Sequence, residues 1–138
     1  KTDRIAYLSD YAHHPEEIRQ SILSIREVFA GRKISGIFQP HLFPRTRDFY
    51  KDFADALSLL DEVWLTEIYP ARELPIEGVT SQLIFDNLRA DMKKALCMKQ
   101  DLPTIVAEED LDVLVVLGAG DVEDYMEQFR KILEEKHI

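Results

Sequence analysis

The run Val113-Leu114-Val115-Val116-Leu117 constrains this chain more than any other feature. Consecutive branched apolar residues leave a strand no polar face to turn to water. Such a strand has to be covered on both sides, as in the parallel sheets of α/β proteins. Gly118-Ala119-Gly120-Asp121 follows it, and a helical pattern carrying Val122, Met126, Phe129 and Leu133 comes next.

The rest of the chain repeats this alternation. A strand is expected over 4–9. Ile18, Ile22, Ile25 and Phe29 then recur at spacings of three and four, which marks an amphipathic helix. Pro15, Glu16 and Glu17 suit its first turn, and Gly31 suits its end. A second strand is expected over 34–38, and Pro40 and Pro44 then predict a loop. Phe49, Phe53, Leu57 and Leu60 mark a second helix, and 63–66 a third strand. A long loop through Tyr69-Pro70-Ala71-Arg72 leads to Thr80 and Ser81, two candidate N-caps for a helix with Leu83, Ile84 and Leu88. A short strand over 94–98 and a short helix from Asp101 to about Glu109 precede the apolar run. Strands alternating with helices imply βαβ units with right-handed crossovers. The expected fold is α/β: a Rossmann-like three-layer domain with a mostly parallel sheet and helices on both faces. Its 138 residues suit one domain spanning 1–138.

A net charge of −9 without a Lys/Arg stripe disfavours nucleic acid and anionic membranes as partners. No apolar run approaches the ~18 residues of a membrane span. The single cysteine, Cys97, admits no internal disulfide and suits a reducing compartment, where it reads as a structural thiol. The chain opens almost directly into a strand, so a domain cut from a longer protein is expected.

In open α/β sheets, ligands gather beyond the carboxyl ends of the strands. Four segments fit that position: 10–15, 39–47, 67–72 and 118–121. They hold three of the four histidines, the fourth being His137. Asp10 can accept hydrogen bonds from ribose hydroxyls, or cap a turn. His13 can bond phosphate or move a proton near neutral pH, or pack on its loop. Backbone N–H groups at the helix start after His14 favour an anion. Arg45 and Arg47 are suited to a carboxylate, or to Asp48 and Asp52 along their own helix. Arg72 sits on a proline-flanked loop that can be rigid and nothing more. The adjacent histidines, with His41 nearby, lack a third ligand at metal-binding spacing, so no metal site is expected. Glu123 stands where the third glycine of G-x-G-x-x-G would be, and no phosphate loop or nucleophile elbow is present.

Four blocks in order carry a resemblance over essentially the whole chain. Asp10-Tyr11-Ala12-His13-His14-Pro15-Glu16-Glu17 resembles the motif that opens the third domain of Mur ligases. Phe38-Gln39-Pro40-His41 with Arg45-Thr46-Arg47-Asp48-Phe49, Tyr69-Pro70-Ala71-Arg72-Glu73, and Gly118-Ala119-Gly120-Asp121 resemble the blocks that follow. The paired histidines and Phe-Gln-Pro-His resemble the alanine-adding members most. That resemblance implies a bacterial cytoplasmic enzyme of cell-wall precursor synthesis with three domains. ATP and Mg2+ would serve the full-length enzyme, with none held tightly by this domain, which alone would be monomeric and inactive. ATP would phosphorylate the carboxylate of UDP-N-acetylmuramate, and the amine of L-alanine would attack the acyl phosphate. It further implies a sheet with one antiparallel strand. Asp10, Tyr11 and His14 would lie towards ATP, and Tyr11 towards the substrates as well. His13 would act as catalytic base, and Arg45, His41 and Arg72 would bind substrate. Some relatives carry a second arginine where this chain has Leu42. Two other readings stand beside this one: a recycling ligase of the same family that takes a whole peptide, and a non-catalytic α/β module such as a receiver.

Overall fold

In a computed structural model, residues 5–118 and 120–136 are described. The elements run β1 (Ala6–Asp10), α1 (Pro15–Val28), β2 (Ile34–Phe38), α2 (Phe43–Leu57), β3 (Glu62–Leu65), α3 (Gln82–Asp86), β4 (Lys93–Leu96), α4 (Leu102–Glu108), β5 (Val113–Leu117) and α5 (Met126–Glu135). Arg4, Ala119 and His137 lie outside the described residues.

The sheet order is β1-β5-β2-β3-β4, with every pairing parallel. The apolar run therefore sits between β1 and β2, and all five of its residues are buried. Its side chains alternate between two cores. Val113, Val115 and Leu117 face one core with Ile18 and Ile22 of α1 and Phe53 and Leu57 of α2. Leu114 and Val116 face the other, with Leu102 and Val106 of α4 and Phe129 and Leu133 of α5. The chain moves one way across the sheet from β2 to β4 and returns to β5. The connecting helix changes face as it does so, as a constant crossover hand requires. The antiparallel strand implied by the family resemblance is not among the described residues.

Register decides where the loops begin. Asp10 pairs with Leu117, Leu117 with Phe38, Phe38 with Leu65, and Leu65 with Leu96. All five strands end level, so the loops after them leave from one edge. The helices after β1 and β2 pass to one face and α5 to the other, which opens a crevice at β5.

The second helix corrects the expectation that Pro44 lies in a loop. It starts at Phe43, with Pro44 in the first turn, where the missing N–H costs no hydrogen bond. Phe49, expected near its start, instead marks a kink inside it. At α3, the Thr80 hydroxyl accepts from the Gln82 N–H, whereas the Ser81 hydroxyl donates to the Thr66 carbonyl across the chain. At the other end, Asp121–Tyr125 form a 3-10 turn ahead of α5.

Trimming the central strand should cost far more than trimming its edge. Leu117→Ala, at a fully buried position, is expected to lower unfolding free energy by about 2–5 kcal/mol. Leu96→Ala, on edge strand β4 and 41% exposed, should change it by less than about 1 kcal/mol. Urea titrations of both variants test this, and equal losses would contradict the two-core description.

Candidate active site at the carboxyl edge of the sheet

The loop after β1 is tied down by its own acids. Asp10 accepts from the Ala12 N–H (2.8 Å) and from the Ser21 hydroxyl (2.5 Å), closing an Asx-type turn and fastening it to α1. Glu17 accepts from the backbone N–H groups of His13 and His14, each at 3.2 Å, and those bonds hold its carboxyl below the usual range. The amides just ahead of the helix, at His13 and at the N-cap His14, are thus met by a carboxylate from the same chain. His14 is the N-cap residue of α1. It lines a cleft with Arg19, Phe49, Asp52 and Asp55, between α1 and α2. Tyr11 lies elsewhere, 62% exposed, with a hydrogen bond to Glu123 pushing its phenol up. With Val116, Val122 and Met126 it lines a separate cleft of ≈ 290 Å³ over β5.

The loops after β1 and β2 and the first turn of α2 bring His13, His41 and Arg45 together. The His13 and His41 rings meet edge to face, 6.0 Å between centroids. His13 Nδ1 lies 2.9 Å from the Tyr11 carbonyl. A carbonyl only accepts, so Nδ1 carries the proton and neutral His13 has its lone pair on Nε2. His41 has the opposite tautomer. Its Nδ1 lies 3.2 Å from Arg45 Nη1, which only donates. The His41 pKa is lowered by burial first, then by the charges of Arg45 and His13, against a smaller opposing pull from Glu73.

Arg45 lies in the first turn of α2, which starts at Phe43, and His41 lies just ahead of its N-cap Leu42. Its guanidinium makes no ion pair among the described residues. Arg47, by contrast, pairs with Asp48 at 2.9 Å, the structural alternative for that residue. Arg72 is exposed on a turn closed by the Glu73 N–H and the Pro70 carbonyl (2.9 Å). In that turn the charge that reaches His41 is Glu73's.

Gln39 was missed as a site-building residue. Fully buried, it donates from Nε2 to Asp121 (2.6 Å) and accepts from the Val122 N–H at Oε1 (2.9 Å), joining the loops after β2 and β5. Gly118 and Gly120 make room for it. A Cβ on Gly118, at φ +132°, would sit 2.9 Å from the Gln39 carbonyl oxygen, and one on Gly120 would overlap Oε1. Lys99, from the loop after β4, adds a 2.5 Å bond to Asp121. Burial would raise the Asp121 carboxyl, but Gln39 and Lys99 together hold it below its ordinary value. Cys97 lies half-buried with its thiol pushed up to about 12 by burial, which leaves it unreactive. No three metal-ligating side chains cluster among the described residues, and no helix there is long and apolar enough to cross a membrane.

The family model for the "Mur ligase, glutamate ligase domain" matches residues 1–122. The chain belongs to the Mur ligase family. It is 55% identical to the UDP-N-acetylmuramate–L-alanine ligase of Phocaeicola vulgatus over 99% of this chain and 30% of that protein. The crystal structure of the UDP-N-acetylmuramate-alanine ligase of Thermotoga maritima superposes with a TM-score of 0.73 at 30% identity, over 94% of this chain and 27% of that one. A murein peptide ligase from Psychrobacter arcticus shares the fold, with a TM-score of 0.72 at 17% identity over 96% of this chain and 28% of that one. The chain thus spans about 30% of the length of the curated relatives it matches.

Two variants test the Gln39 latch. Gln39→Leu strands the Asp121 oxygen and the Val122 N–H and should cost about 1–3 kcal/mol, read as a lower urea midpoint. Lys99→Met acts through a carboxyl whose pKa is lowered on folding. Stability from such a group is full above its unfolded value of 3.8 and is lost as pH falls towards the folded value. The Lys99→Met penalty should therefore be largest near neutral pH and fade below about pH 4. A pH-independent penalty would point to lost packing instead.

Proposed function

We propose that this chain is one domain, the carboxy-terminal domain of a bacterial cytoplasmic ligase that joins L-alanine to UDP-N-acetylmuramate with cleavage of ATP to ADP and phosphate. One observation carries the reading: a half-buried guanidinium without a carboxylate partner among the described residues, Arg45, stands beside a neutral histidine at the edge where a parallel sheet takes its ligands. The alanine-ligase names of relatives such as that of Phocaeicola vulgatus support it.

An amino acid in solution is a zwitterion. Arg45 binds its carboxylate, and Glu73, whose charge is felt at His41, faces its ammonium group. The amine attacks only after losing a proton. His13 is the acceptor, because in the neutral tautomer its Nε2 lone pair is free while the Tyr11 carbonyl fixes Nδ1–H. His41 remains neutral beside Arg45, and its tautomer carries the N–H on Nε2. The cleft walled by Tyr11, Val116, Val122 and Met126 fits the flat apolar face of a nucleoside. ATP would carry magnesium and supply the phosphoryl group that activates the acid. Asp10, whose oxygens both serve the loop, shapes this cleft instead of gripping a ribose. The remaining domains of the longer protein supply the acid substrate and the rest of the nucleotide site, and closure excludes water from the acyl phosphate.

Phosphate release by the full-length protein, with magnesium-ATP and UDP-N-acetylmuramate, tests this. Release should depend on free L-alanine. Arg45→Ala should raise the half-saturating L-alanine concentration by about 10- to 100-fold. His13→Gln should lower kcat by about 10²–10⁴. Dependence on alanyl peptides in place of L-alanine would assign the chain to a recycling ligase.

A further inference from the structure

We propose that Tyr69 is a positioning residue for amino-acid binding: its ring, stacked on His41, holds the imidazole where Nδ1 grips the guanidinium of Arg45. The inference rests on the proposed function for its kinetic readout and on geometry alone for the rest.

His41 and Tyr69 form a parallel bridge just past the ends of β2 and β3. The Tyr69 N–H donates to the Pro40 carbonyl and the Leu42 N–H donates to the Tyr69 carbonyl, both at 2.8 Å. The backbone of Tyr69 thus brackets His41 from both sides. Residues opposite each other in such a bridge point their side chains to the same face. The two rings lie nearly parallel, 11° apart, with centroids 5.5 Å from each other. On its far side Tyr69 is confined by Gly120, where an added Cβ would come within 2.8 Å of Tyr69 Cβ and Cγ. Arginine has a long, flexible side chain, and among the described residues the hydrogen bond it donates to His41 is the one that limits where Arg45 points. An imidazole free to rotate would offer that bond only part of the time.

His41 must also be neutral to accept. The groups facing it are Arg45 on α2, His13 in the loop after β1, and Tyr69 and Glu73 in the loop after β3. Protonation would convert Nδ1 from acceptor to donor beside a permanent cation, so the contact is lost in acid. Removing the Tyr69 ring exposes the imidazole to water, which relieves its desolvation and lets its pKa rise. Grip on Arg45 would then fail at a higher pH than in the parent protein.

The test uses the full-length protein with Tyr69→Leu and Tyr69→Phe. Tyr69→Leu should raise the KM for L-alanine roughly three- to tenfold, the range expected for a lost aromatic stack, with kcat much less affected. The acid limb of its kcat/KM profile for L-alanine should move to higher pH. Tyr69→Phe keeps a ring and should restore both. NMR titration of the His41 ring, selectively labelled and without substrate, should show a raised pKa in Tyr69→Leu and not in Tyr69→Phe. An unchanged KM in Tyr69→Leu, a phenylalanine variant as impaired as the leucine one, or an unmoved His41 titration would each overturn the proposal. A parent protein indifferent to L-alanine would remove the proposed function, and the His41 titration would still decide the role of the stack.

Discussion

The site depends on β5 being a strand that has no wet face. Its five buried residues force helices onto both sides of the sheet. Parallel pairing to β1 and β2 in matched register then sets Asp10, Leu117 and Phe38 level. Each loop that carries chemistry starts from that line. The crevice follows from the same fact, because the helices after β1 and β2 cover one face and α5 the other.

A level edge does not by itself place side chains to within a few tenths of an ångström. That is done by polar groups that meet one another across loops. Gln39 spends its amide on Asp121 and Val122. Asp10 and Glu17 spend their carboxylates on the loop that presents His13. These groups are satisfied within the chain, so they stiffen the site without competing for a ligand. Arg45 and the Nε2 atoms of the two histidines are left to meet one. Fixed tautomers of opposite sense give the site one nitrogen that accepts and one that donates when both rings are neutral.

Much of this was legible in the sequence, and the failures have physical causes. The strand over 34–38 and the apolar run were readable because hydrophobic burial leaves a direct pattern. The start of α2 was not, since Pro44 reads as a breaker unless it falls in a first turn, and only tertiary contacts decide that. Asp10 and Arg47 illustrate a further limit. Residue type admits both a ligand-binding and a structural role, and the structural one becomes visible only in the hydrogen bonds to Ala12, Ser21 and Asp48. Gln39 and Tyr69 carried no periodic signal, because their roles lie across loops far apart in sequence. The two glycines near β5 were a usable hint. Their meaning, room for Gln39 and Tyr69, appears only once the neighbours are in place.

Backbone strain falls at the same edge. Among the described non-glycine residues, only Leu42 and Ala71 have positive φ, at 74° and 55°. Such conformations cost about 1–3 kcal/mol each and persist where surrounding contacts over-determine them. At Leu42 those contacts are visible. Its N–H is bonded to Tyr69, and its carbonyl accepts from both the N–H and the hydroxyl of Thr46. Leu42 lies between His41 and the first turn of α2, and Ala71 lies between Tyr69 and Glu73. Leu42 thus turns the chain between the imidazole of His41 and the charge of Arg45, and Ala71 turns it between the ring of Tyr69 and the charge of Glu73. A relaxed residue at 42 would let the chain leave β2 in an extended line and carry Arg45 away from His41. At Leu42 the strain is the local cost of bending the chain back onto His41, and the bridge to Tyr69 is what sustains it.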